Sequence, residues 1–346
     1  MKKFKIANRS IGENEPPLII AEIGINHEGK IWKAKKMVDD AAAAGCECVK
    51  FQYHIPENEM IKNNTIPGNA KESIWNIIKR CTLSENEETE LYNYVKKKKL
   101  IYLSTPFSKE AAQKLYDMGV SGFKIGSGEC NNFPLIDFVS KFKKPIILST
   151  GMNDISKIKK SIEIIKKNKC NFALLHCVSL YPTPYSKLNL NRMVKLKKIF
   201  KNAPVGLSDH SLGIHGSLAA VSLGANIIEK HFTSSKRWKG PDIPISIDKK
   251  ELHDLKKFSE DIFLSLSKNI SESKMRNYEK KTIDFAYSSV VSILSIKKGE
   301  KLTEKNIWVK RPGLGDFLAK DYNKLLGKIA RLNILANRYI KKKDFY

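Results

Sequence analysis

Phe123-Lys124-Ile125-Gly126-Ser127-Gly128-Glu129 reads as a buried strand that ends in a glycine turn. Its lead-in, Gly119-Val120-Ser121-Gly122, places the segment in a core and leaves Lys124 inside it. A lone buried ammonium is costly unless it meets an anion. Ser127 and its flanking glycines can bring backbone N–H groups up to a phosphate. Glu129 follows at the mouth, where a carboxylate can handle a proton or a metal-bound water. The same stretch also suits a plain strand end with a snorkelling lysine and a helix cap. The rest of the chain decides between the two readings, because several other strands end in the same way.

Working outward, short β-branched runs alternate with amphipathic helices eight times. Strands are read at 17–24, 48–52, 101–107, 122–127, 145–151, 172–178, 204–210 and 225–232, with a long excursion at 53–83. Eight β-α units in about 250 residues are the count of a (β/α)8 TIM barrel, which carries its site at the C-terminal ends of its strands. An open doubly wound sheet fits less well, because no Gly-x-Gly-x-x-Gly follows the first strand. The barrel is assigned to 1–266. The polar stretch 267–283 reads as a flexible linker, and 284–346 as a small, mostly β domain.

Composition narrows the function classes. No apolar run approaches the roughly 18 residues of a membrane span, and the basic N-terminal stretch has no apolar segment behind it, so no signal peptide is read. The six cysteines form no Cys-x-x-Cys pair, which suits reduced thiols and a cytoplasmic location. The formal charge of +26 would suit nucleic acid, but the lysines fall mostly on amphipathic helices such as Lys157-Ile158-Lys159-Lys160-Ser161-Ile162-Glu163. A solvated helix face accounts for that pattern. The charge then serves as a field that draws small anions inward.

Polar groups cluster at one end of every strand: Glu22; Lys50 and Gln52; Ser104 and Thr105; Lys124, Ser127 and Glu129; Ser149 and Thr150; His176, Ser179 and Tyr181; Ser208, Asp209 and His210; Lys230 and His231. Singly, such a serine caps a helix and such a histidine is a satisfied core residue. Together they converge on one barrel mouth. His210 and His231 end adjacent strands, about 4.8 Å apart, so both can reach one divalent ion, Mn²⁺ or Mg²⁺ in preference to a thiolate-loving metal. Lys50 and Lys124, with Ser127 and Ser208, would hold a phosphate; either lysine could instead be a Schiff-base nucleophile.

Ala21-Glu22-Ile23-Gly24-Ile25-Asn26-His27-Glu28-Gly29 resembles the opening motif of the sialic acid synthase family. Val49-Lys50-Phe51-Gln52, Leu103-Ser104-Thr105-Pro106-Phe107, Leu148-Ser149-Thr150-Gly151-Met152, His176-Cys177-Val178-Ser179-Leu180-Tyr181-Pro182, Glu229-Lys230-His231-Phe232-Thr233 and Trp308-Val309-Lys310-Arg311-Pro312 continue the resemblance in order. It implies a barrel followed by an antifreeze-like (SAF) domain. The implied reaction condenses phosphoenolpyruvate with an N-acetylated hexosamine such as N-acetylmannosamine, with water added and phosphate released. Legionaminic and pseudaminic acid synthases are relatives with the same chemistry. The family uses Mn²⁺ or Mg²⁺ and works as a domain-swapped homodimer.

Carried over residue by residue, His210 and His231 resemble the metal ligands. Lys50, Thr105, Lys124, Ser127, Ser179 and Ser208 resemble the phosphoenolpyruvate cradle, with Ser149 among the substrate contacts. Glu22, Gln52, Tyr181 and Asp242 resemble the sugar contacts, and Glu129 the residue that orients the metal-bound water. Arg311 would reach the partner's barrel mouth. Ser179 stands where sialic acid members often carry asparagine, which leaves the sugar open.

Overall fold

The computed structural model describes residues 3–68, 70–266 and 269–346. The chain divides into two compact units, 1–267 and 268–346. The first holds eight parallel strands: Leu18–Gly24 (β1), Cys48–Tyr53 (β2), Ile101–Pro106 (β3), Phe123–Ile125 (β4), Ile146–Ser149 (β5), Phe172–Cys177 (β6), Val205–Asp209 (β7) and Ile227–His231 (β8). Their order in the sheet is β3-β2-β1-β8-β7-β6-β5-β4. The end strands β3 and β4 lie side by side, so the sheet rolls into a TIM-like barrel. Gly206 lets β7 approach β8, because a Cβ there would run into the backbone of Ile227.

The outer helices follow from local rules. Ile155–Lys167 starts at Asp154, whose side chain accepts from the Lys157 N–H at 2.9 Å, and satisfies an otherwise orphan donor. Ile158, Ile162 and Ile165 form its buried stripe, and Lys166 and Lys167 sit at the negative end of its dipole.

Inside the barrel, successive side chains alternate in and out, and each inward column changes character along its strand. Leu18 and Ile20 precede Glu22; Cys48 precedes Lys50; Leu103 precedes Thr105; Ile147 precedes Ser149; Ile227 precedes Glu229 and His231. The apolar members of these columns form one buried cluster. An antiparallel hairpin, Phe4–Ile6 with Arg9–Ile11, closes this end: Phe4, Ile6 and Ile11 join the same cluster. The sequence showed no strand there, because three alternating residues are too few to carry a period.

In the second unit, Ser289–Ser292 pairs antiparallel with Ile307–Lys310 over a core that includes Val290, Ile296, Leu302 and Ile340. The stretch read as a flexible linker contains two helices instead, Glu272–Tyr278 and Lys280–Ala286, apart from positions 267 and 268, which lie outside the described residues. Ser271 caps the first, and Lys280 pairs with Asp284 one turn on. Neither helix buries a residue, so no apolar stripe marked them.

One outer helix carries a pH-dependent strain on stability. Glu88, on Glu85–Lys97, is 3% exposed and accepts from the Tyr102 hydroxyl at 3.3 Å. Burial pushes its carboxyl up to about 8, from 4.5. The folded chain therefore holds a proton that the unfolded chain loses, and stability falls as pH rises through that window. At about 1.4 kcal/mol per pKa unit, less the rounding of the titration at each end, the loss between pH 5 and 8 is about 3–4 kcal/mol. Glu88→Gln should remove it, so the melting-temperature gap in the variant's favour widens from pH 5 to pH 8. A gap that stays constant contradicts the assignment.

Candidate active site

The polar ends of the inward columns meet in a cavity of about 250 Å³ at the C-terminal mouth of the barrel. Glu22, Lys50, Gln52, Thr105, Lys124, Ser127, Ser149, Ser179, Tyr181, Ser208, His210, His231 and Asp242 all line it. A larger hollow of about 670 Å³, beside Arg9, Lys96 and Tyr102, gathers none of them.

Glu229 is the centre of the charge arrangement. Its carboxylate lies 3.8 Å from the Lys50 ammonium and 3.5 Å from that of Lys124, and accepts from the Ser208 hydroxyl at 2.8 Å. Lys50 also meets Glu22 at 2.9 Å and donates to Thr105 at 3.3 Å. Lys124 donates to Ser149 at 2.8 Å. All four charged groups are buried. Burial alone would raise the Glu229 carboxyl, but Lys124 and Lys50 hold it below the usual carboxylate range. Burial does raise Glu22, against the pull of Lys50. It lowers Lys124, whereas Glu22 and Glu229 outweigh it at Lys50 and raise that ammonium. Two carboxylates thus balance two ammoniums in a polar, low-dielectric pocket.

Two imidazoles line the same cavity. The His210 and His231 ring centroids are 5.4 Å apart, and Tyr181 packs against the His210 ring at 4.2 Å. His210 donates from Nδ1 to the Val178 carbonyl at 2.9 Å, which leaves Nε2 for a ligand. Burial and the neighbouring His210 push His231 well down, so it is a neutral imidazole with a lone pair to offer. Its buried Nδ1 has no hydrogen-bond partner; the nearest carboxylate oxygen of Asp242 is 3.9 Å away. This donor set fits an open divalent-ion site. Among the described residues no group of three or more His, Cys, Asp or Glu side chains could hold an ion, so water and substrate oxygens would complete the coordination.

Among the sequence-predicted site residues of the first unit, Glu129 is the one that does not line the cavity. Glu129 lies on the 3-10 turn Gly128–Asn131, half-buried, and accepts from the Asn132 side chain. Arg311 belongs to the second unit. Conversely, Glu229 and Cys177 line the cavity without having been singled out as site residues. The signal was present: Glu229 lies two residues before His231, and Cys177 two before Ser179, so each shares the inward face.

The NeuB family model matches residues 37–271, and the SAF domain model matches 287–345. The chain is 39% identical to the N,N'-diacetyllegionaminic acid synthase of Campylobacter jejuni, over 94% of this chain and 98% of that one. It is 31% identical to the human N-acetylneuraminate-9-phosphate synthase, over 92% and 90% of the two chains. Among solved structures, the N-acetylneuraminic acid synthetase of Leptospira borgpetersenii in complex with citrate superposes with a TM-score of 0.75 at 34% identity, covering 81% of this chain and 96% of that one.

Proposed function

The chain belongs to the NeuB family of sialic acid synthases, and from that premise we propose that it condenses phosphoenolpyruvate with an N-acetylated hexosamine and water to give a nonulosonic acid and phosphate. The observation that carries this reading is the placement of Lys50 and Lys124 around Glu229, facing two imidazoles, in one small cavity. Two buried ammoniums suit a phosphate and a carboxylate on one small molecule. Ser127, Ser149 and Thr105 supply hydroxyl donors around them, Ser208 holds Glu229 in place, and Ser179 lines the same cavity. Gln52, Tyr181 and Asp242, with the deeper Glu22, line the rest of the cavity and would take the sugar.

A Mn²⁺ or Mg²⁺ ion held by His210 and His231 would polarise the acceptor's aldehyde oxygen. The C3 carbon of phosphoenolpyruvate attacks the aldehyde carbon, and C2 becomes oxocarbenium-like. Lys50 and Lys124 keep the phosphate anchored while water adds to C2. The water that adds to C2 gives one proton to the aldehyde-derived oxygen, which becomes a hydroxyl, and its second proton leaves with phosphate as the C2–O bond to phosphate breaks and the C2 carbonyl forms.

The test is phosphate release from phosphoenolpyruvate against a panel of N-acetylated hexosamines, with and without Mn²⁺. No release with any of them ends this reading. Greater identity to the legionaminic acid synthase than to the human enzyme favours a diacetylated acceptor over N-acetylmannosamine, and the same panel separates the two. A Schiff-base aldolase is the rival that the lowered Lys124 ammonium favours; borohydride would trap a covalent adduct only in that case.

We assign Arg311 to the acceptor site of a second copy in a domain-swapped homodimer acting in the cytoplasm. An Arg311→Ala chain mixed with a Glu22→Ala chain, each inactive alone, should regain about a quarter of wild-type activity, since half the chains pair as heterodimers with one intact site. Proven subunit exchange without recovery would refute the swap.

A further inference from the structure

We infer that His54, held by Glu59, is a positioning residue for the acceptor; the inference rests on the acceptor role proposed above for Gln52 and Glu22. His54 is the residue after β2 and is 5% exposed. The helical turn Pro56–Glu59 brings Glu59 back onto it, with carboxylate oxygens 2.9 and 3.1 Å from Nδ1. Glu59 also accepts from the Ile55 N–H at 3.3 Å. Phe107, which lines the cavity, stacks on the imidazole at 4.6 Å between centroids and 13° between planes. The ring is therefore fixed by a carboxylate at one nitrogen and by an aromatic face.

The other nitrogen, Nε2, donates to Gln52 Oε1 at 3.1 Å; both ring nitrogens face acceptors, so both carry hydrogen and the ring is an imidazolium paired with Glu59, while Gln52 Nε2 donates to Glu22 Oε1 at 3.2 Å. A glutamine amide is nearly symmetric in shape and can present either end to a ligand. Here His54 takes the oxygen end, so the nitrogen end meets Glu22 and one Nε2 hydrogen stays uncommitted on the cavity side. Glu22 in turn carries the ion pair to Lys50. Without His54, the single bond to Glu22 is all that holds the amide, which can swing about it, so the donor the sugar would use is no longer fixed in direction. Glu59 and His54 touch no reacting atom; they act through Gln52.

The test is a double-mutant cycle. His54→Phe keeps the ring stacked on Phe107 but removes the donor. It should raise the acceptor KM about tenfold, the effect of one misdirected hydrogen bond, with the phosphoenolpyruvate KM changed less than twofold. In a Gln52→Ala background the same change should have no further effect. His54→Gln, which restores an N–H donor, should recover most of the affinity. Equal losses in both backgrounds, or a parallel rise of both KM values, would overturn the inference. If His54→Phe does not fold because it strands Glu59, adding Glu59→Leu removes the stranded carboxylate and the cycle runs in that background. A turnover-independent reading comes from protein labelled with ¹⁵N at glutamine side chains. The Gln52 amide pair, identified by its loss in Gln52→Ala, should shift in the His54 variant. An unmoved pair refutes the relay even if the proposed reaction holds, and a moved pair supports it even if no sugar on the panel is turned over.

Discussion

His231→Ala should lower kcat/KM by about three orders of magnitude while the chain stays folded. A bound ion acting as a Lewis acid contributes several kcal/mol to such a step, and each 1.4 kcal/mol is a factor of ten. Few atoms depend on this ring for packing: its neighbours are the His210 and Tyr181 rings at the cavity wall. Free Mn²⁺, counted by its electron paramagnetic resonance signal as protein is added, should fall with wild type and not with the variant. Full turnover of wild type in EDTA, or unchanged ion binding by His231→Ala, would remove the metal from the proposal.

Lys124→Met should act on the other substrate. Its ammonium is 2% exposed, so a phosphate that lost it would lose a desolvated charge-assisted contact worth about 2–5 kcal/mol. The expected fall in kcat/KM for phosphoenolpyruvate is about 10²- to 10³-fold, with the acceptor KM within about twofold. The change also leaves Glu22 and Glu229 facing Lys50 alone. An uncompensated buried charge is destabilising, so the melting temperature should drop. Adding Glu229→Gln restores the balance and should recover stability without recovering phosphoenolpyruvate affinity. If affinity returns together with stability, Lys124 was a structural cation only.

The barrel was legible because its units repeat one physical pattern. Inward positions on a strand recur every second residue, and a charged residue in such a column has nowhere to go but the mouth. Lys50, Gln52, Lys124 and His231 were placed that way. What escaped lies where the period is short or absent. The N-terminal hairpin is too brief to show alternation, and helices 272–278 and 280–286 have no apolar stripe. His54 and Glu59 sit in the excursion after β2, where no repeat fixes which side chains meet; only the tertiary turn brings them together. Glu129 was placed at the mouth by its nearness to Lys124 in sequence, but the chain after β4 winds as a 3-10 turn on which Glu129 accepts from Asn132 and does not line the cavity.

The hairpin packed into the lower barrel has a consequence for traffic. Phe4, Ile6 and Ile11 fill the bottom layer, so the cavity opens on the mouth side, and both substrates of the proposed reaction would share that doorway. Lys50 and Lys124 stand at the back of this room, 3% and 2% exposed, whereas Tyr181 and Met152 stand at the threshold, 39% and 70% exposed. On the proposed reaction, phosphoenolpyruvate would be seated before the sugar, and a sugar that arrived first would bar the way. Initial rates should show an ordered pattern, with high sugar inhibiting competitively against phosphoenolpyruvate; a random-order pattern would mean that the doorway is wide enough for both to pass.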